Sequence, residues 1–133
     1  MTPTAIKLHK RSKLLEISYG ESRSFQLEAE LLRVYSPSAE VRGHGRGQEV
    51  LQTGKREVAI TQISAVGNYA LRLTFDDGHS SGLYSWETLA DLAHNQQARW
   101  DDYLARLAAA GASREPLPAD TQVITIKPYD SNP

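Results

Sequence analysis

The chain contains no cysteine among its 133 residues. This absence excludes disulfide bonds, thiolate nucleophiles, iron–sulfur ligation by cysteine and thiolate zinc sites. Long apolar runs are also missing, because no segment approaches the roughly 20 apolar residues that span a bilayer. The N-terminal stretch MTPTAIKLHKRSK has no apolar centre and is not a secretory signal. We therefore expect a cytoplasmic protein that does not associate with membranes.

An excess of charge of one sign is absent as well. The 15 basic and 16 acidic residues give a net charge of −1, so no overall field attracts nucleic acid or anionic lipid. Hydrophobic residues make up 40% and charged residues 23%, which are values of a globular chain rather than a disordered one. The length suits one domain. We predict a single domain over residues 1–128 and a disordered tail over residues 129–133.

Alternating apolar residues predict strands, and a later change of period predicts helices. Leu27 to Val34 has helical spacing and good helix formers. Gly67–Asn68 predicts a two-residue hairpin turn, with Tyr69 on the core face of the strand that follows. The segment from Gly43 to Gly54 is glycine-rich and predicts a long loop. The predicted strands lie at residues 6–8, 15–19, 58–66, 69–75 and 122–127.

The C-terminal half carries helix signals. Ser85 is a suitable N-cap, Asn95 is a point where one helix gives way to another, and Gly111 is a suitable C-cap. Apolar residues between these points recur at helical spacing. The order of elements predicts an α+β fold with a mainly antiparallel sheet and C-terminal helices packed on it.

The two halves of the sequence also resemble each other. Leu15–Glu21 aligns with Leu71–Asp77, and each segment is an alternating strand that ends in an aromatic residue and an acidic turn. The chain is therefore expected to duplicate one strand–turn–strand–helix unit. Arg23 stands in the first copy where His79 stands in the second.

Asp76, Asp77 and His79 are the first candidate site. A histidine beside two carboxylates could ligate a metal ion or act as a general base. The alternative is structural, because Asp77–Gly78 is a strong hairpin-turn signal. Nothing in a turn requires a histidine, so the role of His79 stays open.

Two further groups carry positive charge. Arg42, His44 and Arg46 lie in or beside the GHGRG stretch and could bind an anion or a partner, or could simply belong to a solvated loop. The second group could touch nucleic-acid phosphates, or could line a solvated strand edge that resists aggregation. It comprises Lys7, Lys10, Arg11 and Lys13.

These motifs resemble the gamma-butyrobetaine hydroxylase-like N-terminal domain family. The resemblance covers Ser12 to about Leu92 and includes Leu31–Leu32–Arg33 in the first copy and Trp86 to Leu89 in the second. It implies a zinc site made by three cysteines of a CPCxxC run and one histidine. Here the run reads SPSAEV, so Ser36, Ser38 and Val41 stand at the cysteine positions and His79 at the histidine position. Serine hydroxyls and valine cannot replace thiolates, so we expect the zinc to be absent.

The resemblance is to the stand-alone bacterial branch, which lacks the oxygenase domain of the hydroxylases. We therefore expect no enzymatic activity and no cofactor. The expected function is a binding or adaptor domain for a protein partner, accessory to iron–sulfur or oxygenase-related proteins. One alternative is a metal-binding protein that uses His79 and Asp77. A second is a weak nucleic-acid binder.

Overall fold

The computed structural model describes residues 2–43 and 47–118. That part of the chain forms two three-stranded antiparallel sheets and four helices, which confirms the α+β prediction. In chain order the elements are β1 (Ala5–His9), β2 (Leu14–Tyr19), β3 (Arg23–Glu28), α1 (Ala29–Val34), α2 (Ala39–Arg42), β4 (Ile60–Val66), β5 (Ala70–Phe75), β6 (Leu83–Ser85), α3 (Trp86–His94) and α4 (Gln96–Ala110).

The duplication predicted from the sequence is visible in the topology. The first sheet has the order β1-β2-β3 and leads directly into α1. The second has the order β4-β5-β6 and leads directly into α3. Each copy therefore repeats the strand–turn–strand–helix unit. The two aligned segments occupy equivalent central strands, β2 and β5.

Two local predictions differ from the structure. The helix expected from Leu27 begins at Ala29, because Leu27 belongs to β3 and pairs with Leu15 of β2. Tyr69 lies in the β4–β5 turn with 57% of its surface exposed, instead of on the core face of the strand. The turn has three residues because Val66 pairs with Ala70.

The caps of the C-terminal helices follow the sequence signals. The Ser85 side chain accepts a hydrogen bond from the backbone N–H of Thr88, which caps α3. Asn95 separates α3 from α4. Gly111 ends α4 in the left-handed conformation, with φ of 64°, where glycine has no Cβ penalty.

Both sheets bury side chains in one shared core. Leu15 and Ile17 enter it from the first sheet and Leu73 and Phe75 from the second, and Leu89 of α3 packs among them. Removal of this apolar surface from water is the main force that holds the two copies together. A smaller cluster forms where α4 packs on α1, and it comprises Val34, Tyr103 and Leu107.

No helix within the described residues is both long and apolar enough to cross a bilayer. The predicted strand at residues 122–127 and the predicted tail at residues 129–133 lie outside the described part of the chain. The same holds for the end of the predicted domain at residue 128.

Candidate functional site

The connector between α1 and α2 lies against the β5–β6 turn. Ser36, in this connector, has no exposed surface. Its Oγ lies 2.8 Å from Nε2 of His79, which follows the acidic turn of the second copy. The same Oγ also accepts a hydrogen bond from the backbone N–H of Ser38 at 3.3 Å. The fold therefore joins two segments that are 43 residues apart in sequence.

Both ring nitrogens of His79 have partners. Nδ1 lies 3.0 Å from Oε2 of Glu40, which is an acceptor, so we assign the proton to Nδ1. Nε2 then accepts the hydroxyl proton of Ser36. Burial lowers the pKa of His79, and the nearby charge of Arg33 lowers it further, while the Glu40 hydrogen bond and the charges of Glu40 and Asp77 act in the opposite direction. The imidazole is therefore held in its neutral form near neutral pH.

Gly82 allows the second copy to approach the connector closely. A Cβ atom at this position would lie 2.3 Å from Oγ of Ser36, a distance that real Cβ contacts do not reach. Beside it, the hydroxyl oxygens of Ser38 and Ser81 are 2.7 Å apart. Ser36 and Ser38 of the connector thus contact His79 and Ser81 of the β5–β6 turn.

Asp77 organises the turn that precedes His79. Its Oδ1 accepts the backbone N–H of His79 at 3.1 Å. Its Oδ2 accepts hydrogen bonds from Nε of Arg33 at 2.9 Å and from Nζ of Lys55 at 2.6 Å. Burial alone would raise the pKa of Asp77, but the Lys55 and His79 hydrogen bonds and the charges of Arg33 and Lys55 lower it to about 2. The carboxylate is therefore bound by cations and a backbone amide.

The rest of the turn is equally structural. Gly78 has φ of +91° and donates its N–H to the carbonyl of Phe75 at 3.1 Å. Asp76 accepts the N–H of Ala59 with its side chain at 3.1 Å. Both acids of the FDDGH stretch thus stabilise the backbone, as the structural interpretation of the sequence requires.

The zinc positions implied by the resemblance do not fit a zinc ion. Ser36, Ser38 and Val41 offer two neutral hydroxyls and an aliphatic group, and His79 already uses both nitrogens. Val41 is itself buried. Across residues 2–43 and 47–118, no three or more histidine, aspartate and glutamate side chains are placed to hold a metal ion.

A cleft of about 480 Å³ adjoins these residues, and Ser36 and Val41 contribute to its wall. It lies between the α1–α2 region, residues 49–52, α3 and α4. Its apolar lining includes Val34, Val41, Val50, Leu51 and Leu92. Its charged lining comprises Arg42, Arg99, Arg106, Glu49 and Asp91. The cleft therefore combines apolar walls with three arginines and two acids.

The structure separates the positively charged candidates. Arg42 lines the cleft and is exposed, whereas His44 and Arg46 lie outside the described residues. The basic cluster is on β1 and the β1–β2 turn, and its four residues do not line the cleft. There Lys13 contacts Glu57 at 3.4 Å, and Lys7 is paired across the sheet with Glu16. Lys10 and Arg11 are exposed in the turn.

Sequence reasoning missed three participants in the site. Glu40, whose side chain is 70% exposed, contacts His79 from 39 residues away, and Lys55 reaches Asp77 from 22 residues away. Neither has a local signal. Arg33 did have one, because it belongs to the Leu31–Leu32–Arg33 signature, and its almost complete burial requires an acidic partner.

A sequence profile described as gamma-butyrobetaine hydroxylase-like, N-terminal, matches residues 6–90. No curated protein matches the chain. Two solution structures determined by NMR are similar to it over 93% of its length. One is 51% identical, with 98% of its own chain covered and a TM-score of 0.76. The other is 55% identical, with 93% covered and a TM-score of 0.73.

A crystal structure from Acidithiobacillus ferrooxidans is a more distant relative. It is described as a protein of unknown function in the DUF971 family. It is 32% identical, the match covers 69% of this chain and 92% of that chain, and the TM-score is 0.57.

Proposed function

The chain belongs to the gamma-butyrobetaine hydroxylase-like N-terminal family, and from this membership we propose that it is a non-catalytic adaptor that binds a protein partner in its cleft. The cleft is the observation that carries the proposal. Its volume of about 480 Å³ is within the range of ligand-binding clefts, and its walls combine apolar side chains with charged and polar groups. That composition is typical of a site that takes up a side chain and fixes its orientation.

The proposed occupant is a short segment of a partner protein that carries an apolar residue beside a carboxylate. Three arginines against two acids leave the lining with an excess of positive charge. Two of the three arginines already contact an acid, Arg99 with Asp91 at 2.8 Å and Arg106 with Asp102 at 3.1 Å. Arg42, which is exposed, is the arginine we assign to the partner's carboxylate.

The hydrogen bonds around His79 support an adaptor more than an enzyme. Glu40, His79 and Ser36 have the order of an acid, a base and a nucleophile. However, a serine nucleophile must reach a substrate carbonyl, and Ser36 is fully buried. Its hydroxyl proton is also donated to Nε2 of His79, and His79 is itself buried. The arrangement therefore favours a structural role.

We place the partner among oxygenase or iron–sulfur proteins. The family description links these domains to gamma-butyrobetaine hydroxylase, so a protein related to such oxygenases is the partner class we propose.

Site-specific photo-crosslinking tests this proposal. A photoreactive residue at Val50, which is in the cleft and 43% exposed, should crosslink to one discrete protein. The same group at Tyr69, which is exposed outside the cleft, is the matched control. The captured protein is then purified and its affinity for the chain is measured directly.

Arg42→Glu should weaken that purified complex by about tenfold or more, because it replaces an attractive charge with a repulsive one. Arg11→Glu makes the same change in an exposed turn away from the cleft and should leave the affinity unchanged. Equal crosslinking from both photoreactive positions, or equal affinities of the two charge variants, would contradict the proposal.

A further inference from the structure

We propose that Ser36, Ser38, Glu40, His79 and Ser81 form a metal-free clasp, which takes the place of the zinc ion implied by the family resemblance and joins the two repeat units. The inference begins from the chemistry of the side chains. Hydroxyls and one imidazole are poor substitutes for three thiolates, but they are complementary to one another as hydrogen-bond donors and acceptors.

The hydrogen bonds of the clasp run in one continuous direction. The Glu40 carboxylate accepts from Nδ1 of His79 at 3.0 Å, and Nε2 accepts from the hydroxyl of Ser36 at 2.8 Å. The Ser36 oxygen then accepts the N–H of Ser38 at 3.3 Å. Ser36 donates its hydroxyl proton to His79 and accepts from Ser38 at a lone pair of the same oxygen, so the bonds can all form together. Such chains are strengthened by the low dielectric of a buried site.

The clasp joins the same two segments that a zinc ion would join. Residues 36–40 belong to the end of the first unit, and residues 79–81 belong to the second. The contacts Ser36–His79 and Ser38–Ser81 each span 43 residues, and Glu40–His79 spans 39. A crosslink over this distance restrains the connector against the β5–β6 turn.

The spacing of the atoms also suits hydrogen bonds and not a metal. Two ligands of one tetrahedral zinc ion lie about 3.5 Å apart, given bond lengths of about 2.0–2.3 Å. Ser36 Oγ and His79 Nε2 are only 2.8 Å apart. Gly82 leaves room for the same oxygen, since a Cβ at this position would lie only 2.3 Å from it. The connector and the turn therefore lie at the distance that a direct hydrogen bond requires.

A double-mutant cycle measures the clasp. Ser36→Ala and His79→Gln should each lower the melting temperature by about 5 °C, and the double variant should lose clearly less than the sum, because the first change already removes the contact. His9→Gln is the matched control: His9 also contacts a glutamate, Glu16 at 3.0 Å, but its side chain is 43% exposed. It should shift the melting temperature by less than about 1 °C.

Zinc titration tests whether the clasp binds metal. The protein without a histidine tag should bind less than about 0.1 equivalent of zinc at micromolar concentrations, and chelator should not change its melting temperature. The variant S36C/S38C/V41C, which restores the thiolates beside His79, should bind one equivalent and melt at a higher temperature with zinc than without.

Three outcomes would overturn the clasp. One is stoichiometric zinc binding by the unaltered chain that His79→Gln abolishes. The second is strict additivity of Ser36→Ala and His79→Gln. The third is a folded triple-cysteine variant with no affinity for zinc. The clasp proposal does not depend on the cleft. Either result of the Arg42→Glu binding experiment therefore leaves the clasp proposal unchanged.

Discussion

Asp77 joins three segments of the chain through one carboxylate. It binds Arg33 of α1, Lys55 of the long connection between the two units, and the backbone of His79. Arg33 extends the network, since its NH1 donates to Oε1 of Gln52 at 3.0 Å. The side chain of Arg33 is only 8% exposed, so its buried positive charge needs the Asp77 carboxylate as a counter-charge.

The pKa of Asp77 predicts an acid-sensitive contribution to stability. Its pKa is about 2 in the folded chain, against 3.8 for the free side chain, so the unfolded chain binds the proton more tightly. The contribution is present above pH 3.8 and is lost as the pH falls from 3.8 towards 2. It amounts to about 2 kcal/mol. Urea unfolding at a series of pH values should show this loss.

Asp77→Asn should remove that part of the pH dependence and lower the free energy of unfolding at pH 7 by about 3 kcal/mol, because the buried Arg33 loses its counter-charge. Asp101→Asn, on the exposed surface of α4, is the control and should change neither quantity appreciably. Parallel pH profiles for the wild type and Asp77→Asn would contradict the assignment.

The close approach at Gly82 gives a second prediction at this scale. Gly82→Ala would place a Cβ 2.3 Å from the Ser36 hydroxyl, which must then shift and strain or break its hydrogen bond to His79. We expect a loss of about 1–3 kcal/mol in thermal or urea unfolding. Ser36→Ala removes the hydroxyl oxygen. In that background Gly82→Ala should therefore lower the free energy of unfolding much less than it does in the wild type. A double variant whose losses simply add would show that the two residues do not collide.

At the scale of elements, the sequence predicts best where the signal is local. The alternation of Leu15, Ile17 and Tyr19 identifies β2, and the side chain of Ser85 identifies the start of α3. The start of α1 was misplaced, because LEAELLRV has helical spacing throughout while tertiary pairing takes Leu27 into β3. Local preference loses when a neighbouring strand supplies hydrogen bonds and a core position.

The candidate site was less predictable for the same reason. The histidine and the two acids are local and could be found by inspection. Glu40 and Lys55 contact them only because the two units fold onto each other. A long side chain that is partly exposed has no periodic signal in the sequence, and its partner becomes known only from the tertiary structure.

Arg114, in the segment after α4, forms an ion pair with Glu30 of α1. Arg114 donates two hydrogen bonds to the carboxylate of Glu30, at 2.7 and 2.8 Å, and its guanidinium lies 4.8 Å from the ring centre of Trp100. The Glu30 side chain is 5% exposed, so its buried negative charge needs Arg114 as a counter-charge. Arg114→Ala should therefore cost about 2–4 kcal/mol, measured by urea unfolding.

The control for this prediction is another arginine of the same region. Arg56 pairs with Glu115, but both side chains are about half exposed. Arg56→Ala should cost less than about 1 kcal/mol. If the two arginine variants lost similar stability, the buried pair would not be the anchor of the segment.

At the scale of the whole molecule, the duplicated units are not independent. Each contributes one face to a single core, and the clasp and the Asp77 network tie the connector of the first unit to the turn of the second. An isolated unit would expose its sheet to water. A chain built this way should unfold in one cooperative transition, despite its internal repeat.

Matched core changes in the two sheets test this cooperativity. Ile17→Val in β2 and Ile60→Val in β4 each remove one methylene from a buried position. Each should lower the free energy of unfolding by about 0.5–1.5 kcal/mol. Because Trp86 and Trp100 both pack against the shared core, tryptophan fluorescence and far-ultraviolet circular dichroism should report the same shifted midpoint for either variant. Val50→Ala, on an exposed side chain, should shift the midpoint far less. Two transitions, of which each variant moves only one, would mean that the repeats unfold separately and that the shared core does not couple them.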